Sequence, residues 1–274
     1  MPKRTVFFVS DQTGVTAETM GHSLLTQFAG LQFRTVTLPF IATIEKAAEA
    51  RARIDAAGAA DGEPAIVFST LVKDELRDAV KAANAVFLDF FDAFMGPLEA
   101  TLGVKSSHAE GRAHGMADIE AYTARINATN FALANDDGAQ TRDYAKADVI
   151  LVGVSRSGKT PTCLYMALQY GIYAANYPLT DDDLEAPRLP AVLAACQSKL
   201  HGLTIEPERL QQIRNERRPN SRYAAPQQVV FEVRQAEALF QRVGIPYLDT
   251  THCSVEEIGS RIMQQTGIER RLRP

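Results

Sequence analysis

The stretch Ala147-Asp148-Val149-Ile150-Leu151-Val152-Gly153-Val154-Ser155-Arg156-Ser157-Gly158-Lys159-Thr160 carries the strongest signal in this chain. Val149 to Val152 form an apolar, largely β-branched run, the pattern of a buried strand. Residues 153–160 then match the G-x-x-x-x-G-K-[ST] phosphate-binding loop. Residues 162–170 follow as a helix, with Leu164, Met166, Ala167 and Leu168 available for burial and Gly171 placed to end it. The bare pattern arises by chance in roughly one chain in a hundred of this length, and the flanking strand and helix make an accident rarer still. In such a loop, glycines let backbone N–H groups curl around phosphate oxygens, and the helix N-terminus adds its partial positive charge. Gly153, Val154, Ser155, Arg156, Ser157, Gly158, Lys159 and Thr160 are therefore the candidate nucleotide-binding residues. Lys159 would reach the terminal phosphates, and Thr160 would be the metal ligand, holding Mg²⁺ through its hydroxyl. Pro161 suits the first helical turn, whose N–H groups lack intrahelical partners.

The rest of the chain extends the same alternation. Strands are expected over residues 5–10, 33–38, 65–68 and 86–90, with helices over 16–28, 44–57 and 73–83 between them. Gly30 and Gly58 are the expected stops of the first two helices, and Thr13 or Thr16 the cap of the first. A polar, histidine-bearing loop over 105–115 leads to a helix over 119–133, which Asn135-Asp136-Asp137-Gly138 breaks. After the phosphate loop come strands over 173–177, 203–205 and 246–248, and helices over 207–217, 231–243 and 255–266. Ser254 and Glu257 form the S-x-x-E capping box of the last helix. The fold class is α/β: an N-terminal parallel-sheet βα domain over 1–140, followed by a P-loop kinase-like αβα domain over 141–274.

Composition narrows the function. The 274 residues are 46% hydrophobic, enough for one or two well-buried cores. A net charge of −4 speaks against nucleic acid or a membrane surface as partner. Lys3 and Arg4 precede only a four-residue apolar run, and no segment approaches the roughly 20 apolar residues of a membrane span. A cytoplasmic protein is expected. Cys163, Cys196 and Cys253 lack metal-ligand spacing, and His108 and His114 have no partners for a zinc site, so free thiols are expected.

Longer segments carry a resemblance. The loop with its continuation Pro161-Thr162, followed by Leu164-Tyr165, resembles the signature of the bacterial phosphoenolpyruvate synthase regulatory proteins, a family shared with the pyruvate,phosphate dikinase regulatory proteins. Residues 10–18, Ser10-Asp11-Gln12-Thr13-Gly14-Val15-Thr16-Ala17-Glu18, are similar to the family's N-terminal S-D-x-T-G-x-T-A-E segment. Tyr122, Arg125, Asp136-Asp137-Gly138, Ala174-Ala175-Asn176-Tyr177-Pro178, Gly202-Leu203-Thr204-Ile205, Ser221-Arg222-Tyr223 and residues 254–258 match as well. The G-K-T-P-T form looks more like the synthase regulators than the dikinase regulators.

The resemblance implies a bifunctional serine/threonine protein kinase and phosphorylase. Such an enzyme takes ADP as phosphoryl donor and inactivates phosphoenolpyruvate synthase by modifying a threonine. It uses inorganic phosphate as co-substrate of the reverse reaction, releasing pyrophosphate. The same chemistry on pyruvate,phosphate dikinase, a P-loop small-molecule kinase and a nucleotide-dependent switch stay open as alternatives. So does a homo-oligomer.

Phosphoryl transfer needs positioning and charge stabilisation. Besides Lys159, Asp136 and Asp137 are the catalytic candidates, able to orient an acceptor hydroxyl or reach Mg²⁺ through water; good turn chemistry is their bland alternative. Asp181, Asp182 and Asp183 are weaker candidates that a solvated loop explains equally. Arg209, Arg214, Arg217, Arg218 and Arg222 cluster on and after one helix. Of these, Arg214, Arg217, Arg218 and Arg222 are the phosphate-clamp candidates, as a basic lid would require. Asp11-Gln12-Thr13-Gly14 sits at the first strand-to-helix turn, where the N-terminal domain could dock a target or shape the acceptor side.

Overall fold

The computed structural model describes residues 4–107, 119–185 and 188–272. His108, His114 and most of the expected 105–115 loop lie outside the described residues. Contacts divide the chain into two compact units, Met1–Gly115 and Met116–Pro274.

The first unit holds β1 (Arg4–Val9), α1 (Val15–Leu25), β2 (Phe33–Leu38), α2 (Ile44–Asp61), β3 (Ala65–Ser69), α3 (Asp74–Lys81), β4 (Ala85–Asp89) and α4 (Phe90–Leu102). Its four strands pair in parallel in the order β2-β1-β3-β4. Successive β1 side chains alternate between two cores, as a pleated strand requires. Phe7 and Val9 pack with Ala47, Ala50 and Ile54 of α2 and with Leu76 and Val80 of α3. Val6 and Phe8 pack with Ala17 and Leu25 of α1, and Phe90 closes that side through Phe68.

Four local expectations change here. Helix α1 ends at Leu25 with Thr26 as its cap, short of Gly30. Gly58 lies inside α2, which runs on to Asp61; Gly62, at φ 73, takes the left-handed capping position instead. Neither Thr13 nor Thr16 caps α1: Gly14 does so from φ 82, with no side-chain hydrogen bond. Helix α4 starts directly after β4, with Asp89 as its cap, and carries Pro97 and Gly96 within it. Those two residues mask a helical pattern in the sequence.

The second unit holds α5 (Ile119–Ala134), β5 (Val149–Gly153), α6 (Lys159–Tyr170), β6 (Ala174–Pro178), α7 (Asp181–Glu185), α8 (Ala191–Ala194), β7 (Leu200–Thr204), α9 (Pro207–Arg217), α10 (Pro226–Val243), β8 (Tyr247–Asp249) and α11 (Val255–Thr266). Its parallel sheet runs β6-β5-β7-β8, the same topology as the first. Val149 and Leu151 face Ala128 and Ala132 of α5, Met166 and Ala167 of α6, and Ile258 and Ile262 of α11. Ile150 and Val152 face Leu210 of α9 and Val229, Val233 and Phe240 of α10. The Asn135–Gly138 break, expected to mark the end of a first domain at residue 140, thus lies inside the second unit. The reason is α5, whose small residues bury against β5 and α6.

Two terminal features hold as read. Gly171, at φ 68, ends α6, and Ser254 and Glu257 exchange both hydrogen bonds of the capping box on α11. Among the described residues no helix is long and apolar enough to cross a membrane.

Candidate active site

The loop between β5 and α6 lies at the carboxyl end of the second sheet, where β6 and β7 leave β5 on opposite sides. That switch point is where parallel sheets open a crevice. Gly153 ends β5 because any Cβ there would collide with the carbonyl oxygen of Leu203 on the neighbouring strand. Arg156 and Gly158 both take left-handed backbone, at φ 74 and 93, so the chain curls tightly before α6 begins at Lys159. Amides of that first turn have no intrahelical acceptor and are free to meet an anion. Thr250 ties the loop from below, its hydroxyl donating to the Ser157 carbonyl at 3.1 Å. Among the described residues the buried Ser157 hydroxyl has no hydrogen-bond partner under the same turn.

The loop floors a cleft of about 830 Å³. Lys159 is 4% exposed and donates to the Val154 carbonyl at 2.8 Å. Burial lowers its pKa to about 8, partly opposed by the negative charge of Asp137. Thr160 donates its hydroxyl to Asp136 Oδ1 at 2.8 Å, and Asn176 donates its side-chain amide to the same oxygen at 2.5 Å. Asn176 also accepts from the Asp137 amide at 3.0 Å, while its own carbonyl accepts from the Tyr144 hydroxyl at 2.8 Å. This buried asparagine, on an otherwise apolar strand, holds the Asp136-Asp137-Gly138 turn against α6. Asp137 lines the cleft from left-handed backbone at φ 47, and among the described residues its carboxylate makes no hydrogen bond or ion pair.

The two aspartates are therefore separated in situation. Asp136 is engaged with Thr160 and Asn176; Asp137 is open to whatever enters. Asp181, Asp182 and Asp183 do not reach the cleft. Asp183 accepts from the Thr180 amide and hydroxyl at the start of α7, and Asp181 accepts from Gln228. Their concentration follows from a helix start that favours acidic side chains.

The arginines also divide. Arg156, Arg217 and Arg218 line the cleft, with their side chains exposed. Arg222 points elsewhere, 4.0 Å from Asp181. Arg214 is wholly buried and bound to Glu232, so it is no phosphate clamp. Helical spacing correctly put it near Arg217 and Arg218, but spacing alone does not say which residue of a basic stripe turns inward. Tyr223, which lines the cleft and meets the Ser155 hydroxyl at 2.8 Å, was assigned no role by the sequence, nor was Asn176. For Asn176 the available signal was a polar residue midway along an apolar strand.

Thr160 and Asp136 offer hard oxygen donors beside the phosphate loop, the donor set that Mg²⁺ prefers. Among the described residues no group of three His, Cys, Asp or Glu side chains is assembled for a metal.

The sequence profile of the kinase/pyrophosphorylase family matches residues 6–263 of the chain. A protein of Halorhodospira halophila is 57% identical over 270 residues, covering 98% of both chains. Proteins of Hahella chejuensis and Stutzerimonas stutzeri are 53% and 54% identical over 271 residues, each covering 99% of this chain and 100% of the relative. All three carry the name "Putative phosphoenolpyruvate synthase regulatory protein". With the matched span covering most of both units, the chain belongs to the kinase/pyrophosphorylase family.

Proposed function

We propose that the chain phosphorylates a threonine of phosphoenolpyruvate synthase from ADP, inactivating it, and removes that group with inorganic phosphate. The observation that carries this reading is the convergence of Lys159, the Thr160–Asp136 pair and an unpaired Asp137 on one cleft beside the phosphate loop. The names of the relatives support the choice of target.

In the forward direction the loop amides and Lys159 hold the ADP diphosphate. The threonine oxygen attacks the β-phosphorus; the new O–P bond forms as the bridge to the α-phosphate breaks, and AMP leaves. Asp137, facing the cleft, takes the hydroxyl proton. Arg217 and Arg218 neutralise charge on the transferring group, which needs electrostatic support more than covalent help. In reverse, a phosphate oxygen attacks the phosphothreonine phosphorus. The new P–O–P bridge of pyrophosphate forms as the bond from phosphorus to the threonine oxygen breaks, and Asp137 relays the proton of the attacking hydrogen phosphate to that oxygen. Thr160, oriented by Asp136, would hold Mg²⁺, which supplies charge neutralisation between the phosphates. The terminal-phosphate position of the loop serves the β-phosphate in one direction and pyrophosphate in the other.

The test is incubation with ADP labelled on the β-phosphate, Mg²⁺ and phosphoenolpyruvate synthase. Label on a synthase threonine is expected, and Lys159→Ala is expected to abolish transfer in both directions with the fold intact. Label on a small metabolite, or full activity in the variant, contradicts the proposal.

A further inference from the structure

Arg214 is 0% exposed, and its guanidinium serves three acceptors on three different segments. It donates to the Ser155 carbonyl in the phosphate loop at 3.0 Å, to the Tyr223 carbonyl at 3.0 Å and to Glu232 Oε2 on α10 at 2.6 Å. The Tyr223 ring lies against it, 4.3 Å from its central carbon, and the Tyr223 hydroxyl returns to the Ser155 side chain. Gln228 braces the other oxygen of Glu232 at 3.1 Å.

A trans peptide sends its carbonyl and the next N–H in opposite directions. With the Ser155 oxygen turned to Arg214, the Arg156 N–H points away from Arg214, and Arg156 itself lines the cleft. Arg156 sits at φ 74, a conformation a non-glycine residue keeps only where its surroundings enforce it. Successive amides in such a turn make a concave anion nest. A planar fork is needed for this geometry; a lysine ammonium is a single point charge and cannot reach all three acceptors in one plane.

We propose that Arg214 is a positioning residue that sets the phosphate loop and the Tyr223 wall of the cleft as one unit, presenting the loop amides to a nucleoside diphosphate without touching it. The proposal rests on the nucleotide reading above for its second readout only. Its first readout is the set of backbone amide resonances of residues 154–158 in the nucleotide-free protein. Its second is MgADP affinity by calorimetry, both at a temperature well below unfolding. For Arg214→Lys with parental circular dichroism, we expect displaced loop resonances and an affinity at least tenfold weaker.

Loop resonances that superimpose on those of the parent overturn the proposal, as does an affinity within twofold of the parent despite displaced resonances. A lower Tm accompanied by either result means that Arg214 only supports the core. If parent and variant alike bind no ADP while the resonances move, the nucleotide reading fails and the positioning role stands. Should Arg214→Lys not fold, Glu232→Gln, which weakens the anchor but keeps the guanidinium, is read by the same two criteria.

Discussion

Lys159 and the two aspartates in front of it make the sharpest residue-level predictions. In the free protein Lys159 is buried against the Val154 carbonyl, with its pKa lowered to about 8 from 10.5. A bound diphosphate favours the charged ammonium and raises that pKa. Below pH 8 the lysine is protonated in both states, and affinity for ADP is flat. Above pH 8 the free protein sheds the proton and must regain it to bind, so affinity falls by up to about tenfold per pH unit. Calorimetry between pH 7 and 9.5 checks this, and Lys159→Met should flatten the profile. The sign for folding is opposite: the unfolded chain holds this proton up to its ordinary pKa, so stability from this group rises with pH between about 8 and 10.5. Asp137→Asn should lower kcat by about 10²–10⁴-fold while ADP affinity changes little, as expected for a proton acceptor. Asp136→Asn should instead raise the Mg²⁺ concentration needed for half-maximal rate, because its contact is with Thr160. Steady-state kinetics with Mg²⁺ varied separates the two; identical effects in both variants would remove the division of labour. The strand, tight turn and helix around residues 153–160 were legible because the apolar run and the glycines dictate that backbone. Arg214 was not: burial of one arginine in a basic stripe depends on Glu232, eighteen residues further on and visible only in three dimensions.

At the level of elements, some helix ends marked by proline, glycine or a capping box were readable, while others carrying the same residues were not. Pro207 opens α9 at its first position, Gly171 closes α6 from left-handed backbone, and Ser254 with Glu257 opens α11 by a side-chain capping box, all as expected. Helix α4 was hidden by Pro97 and Gly96, and α10 starts at Pro226, five residues ahead of the expected start at Phe231, since proline suits a first turn. Gly58 looked like a stop, yet the backbone of residues 63–65 passes close to it and Gly62 supplies the left-handed residue that ends α2. Helix α11 packs through Ile258 and Ile262 onto the core that carries the phosphate-loop strand. Ser254→Ala should therefore cost about 1 kcal/mol of stability, from the lost cap. Thermal unfolding should show a fall in Tm of about 2–4 °C for a unit of this size, with ADP affinity unchanged. No change in Tm would mean that the capping box contributes nothing in solution.

Across the whole molecule, two four-stranded parallel sheets repeat one strand order without any visible sequence repeat. Alternating apolar runs and glycine or proline stops made the α/β class readable. The point where contacts divide was not readable from local composition. Asn135-Asp136-Asp137-Gly138 has the chemistry of a linker, yet Asn176 and Thr160 fold it into the site. A turn recruited by tertiary hydrogen bonds looks, in sequence, like any other turn. Family membership covers both units, so the first is part of what relatives of this kind retain, while the nucleotide chemistry is argued wholly within the second. In the proposed function, the amides and ammonium of residues 153–160 grip a diphosphate. Calorimetric titration of MgADP into the intact chain and into Lys159→Ala tests it most directly. Saturable one-to-one binding by the parent, weakened at least a hundredfold in a variant with unchanged circular dichroism, is the predicted result; no binding by a folded parent, or equal binding by both, would contradict it.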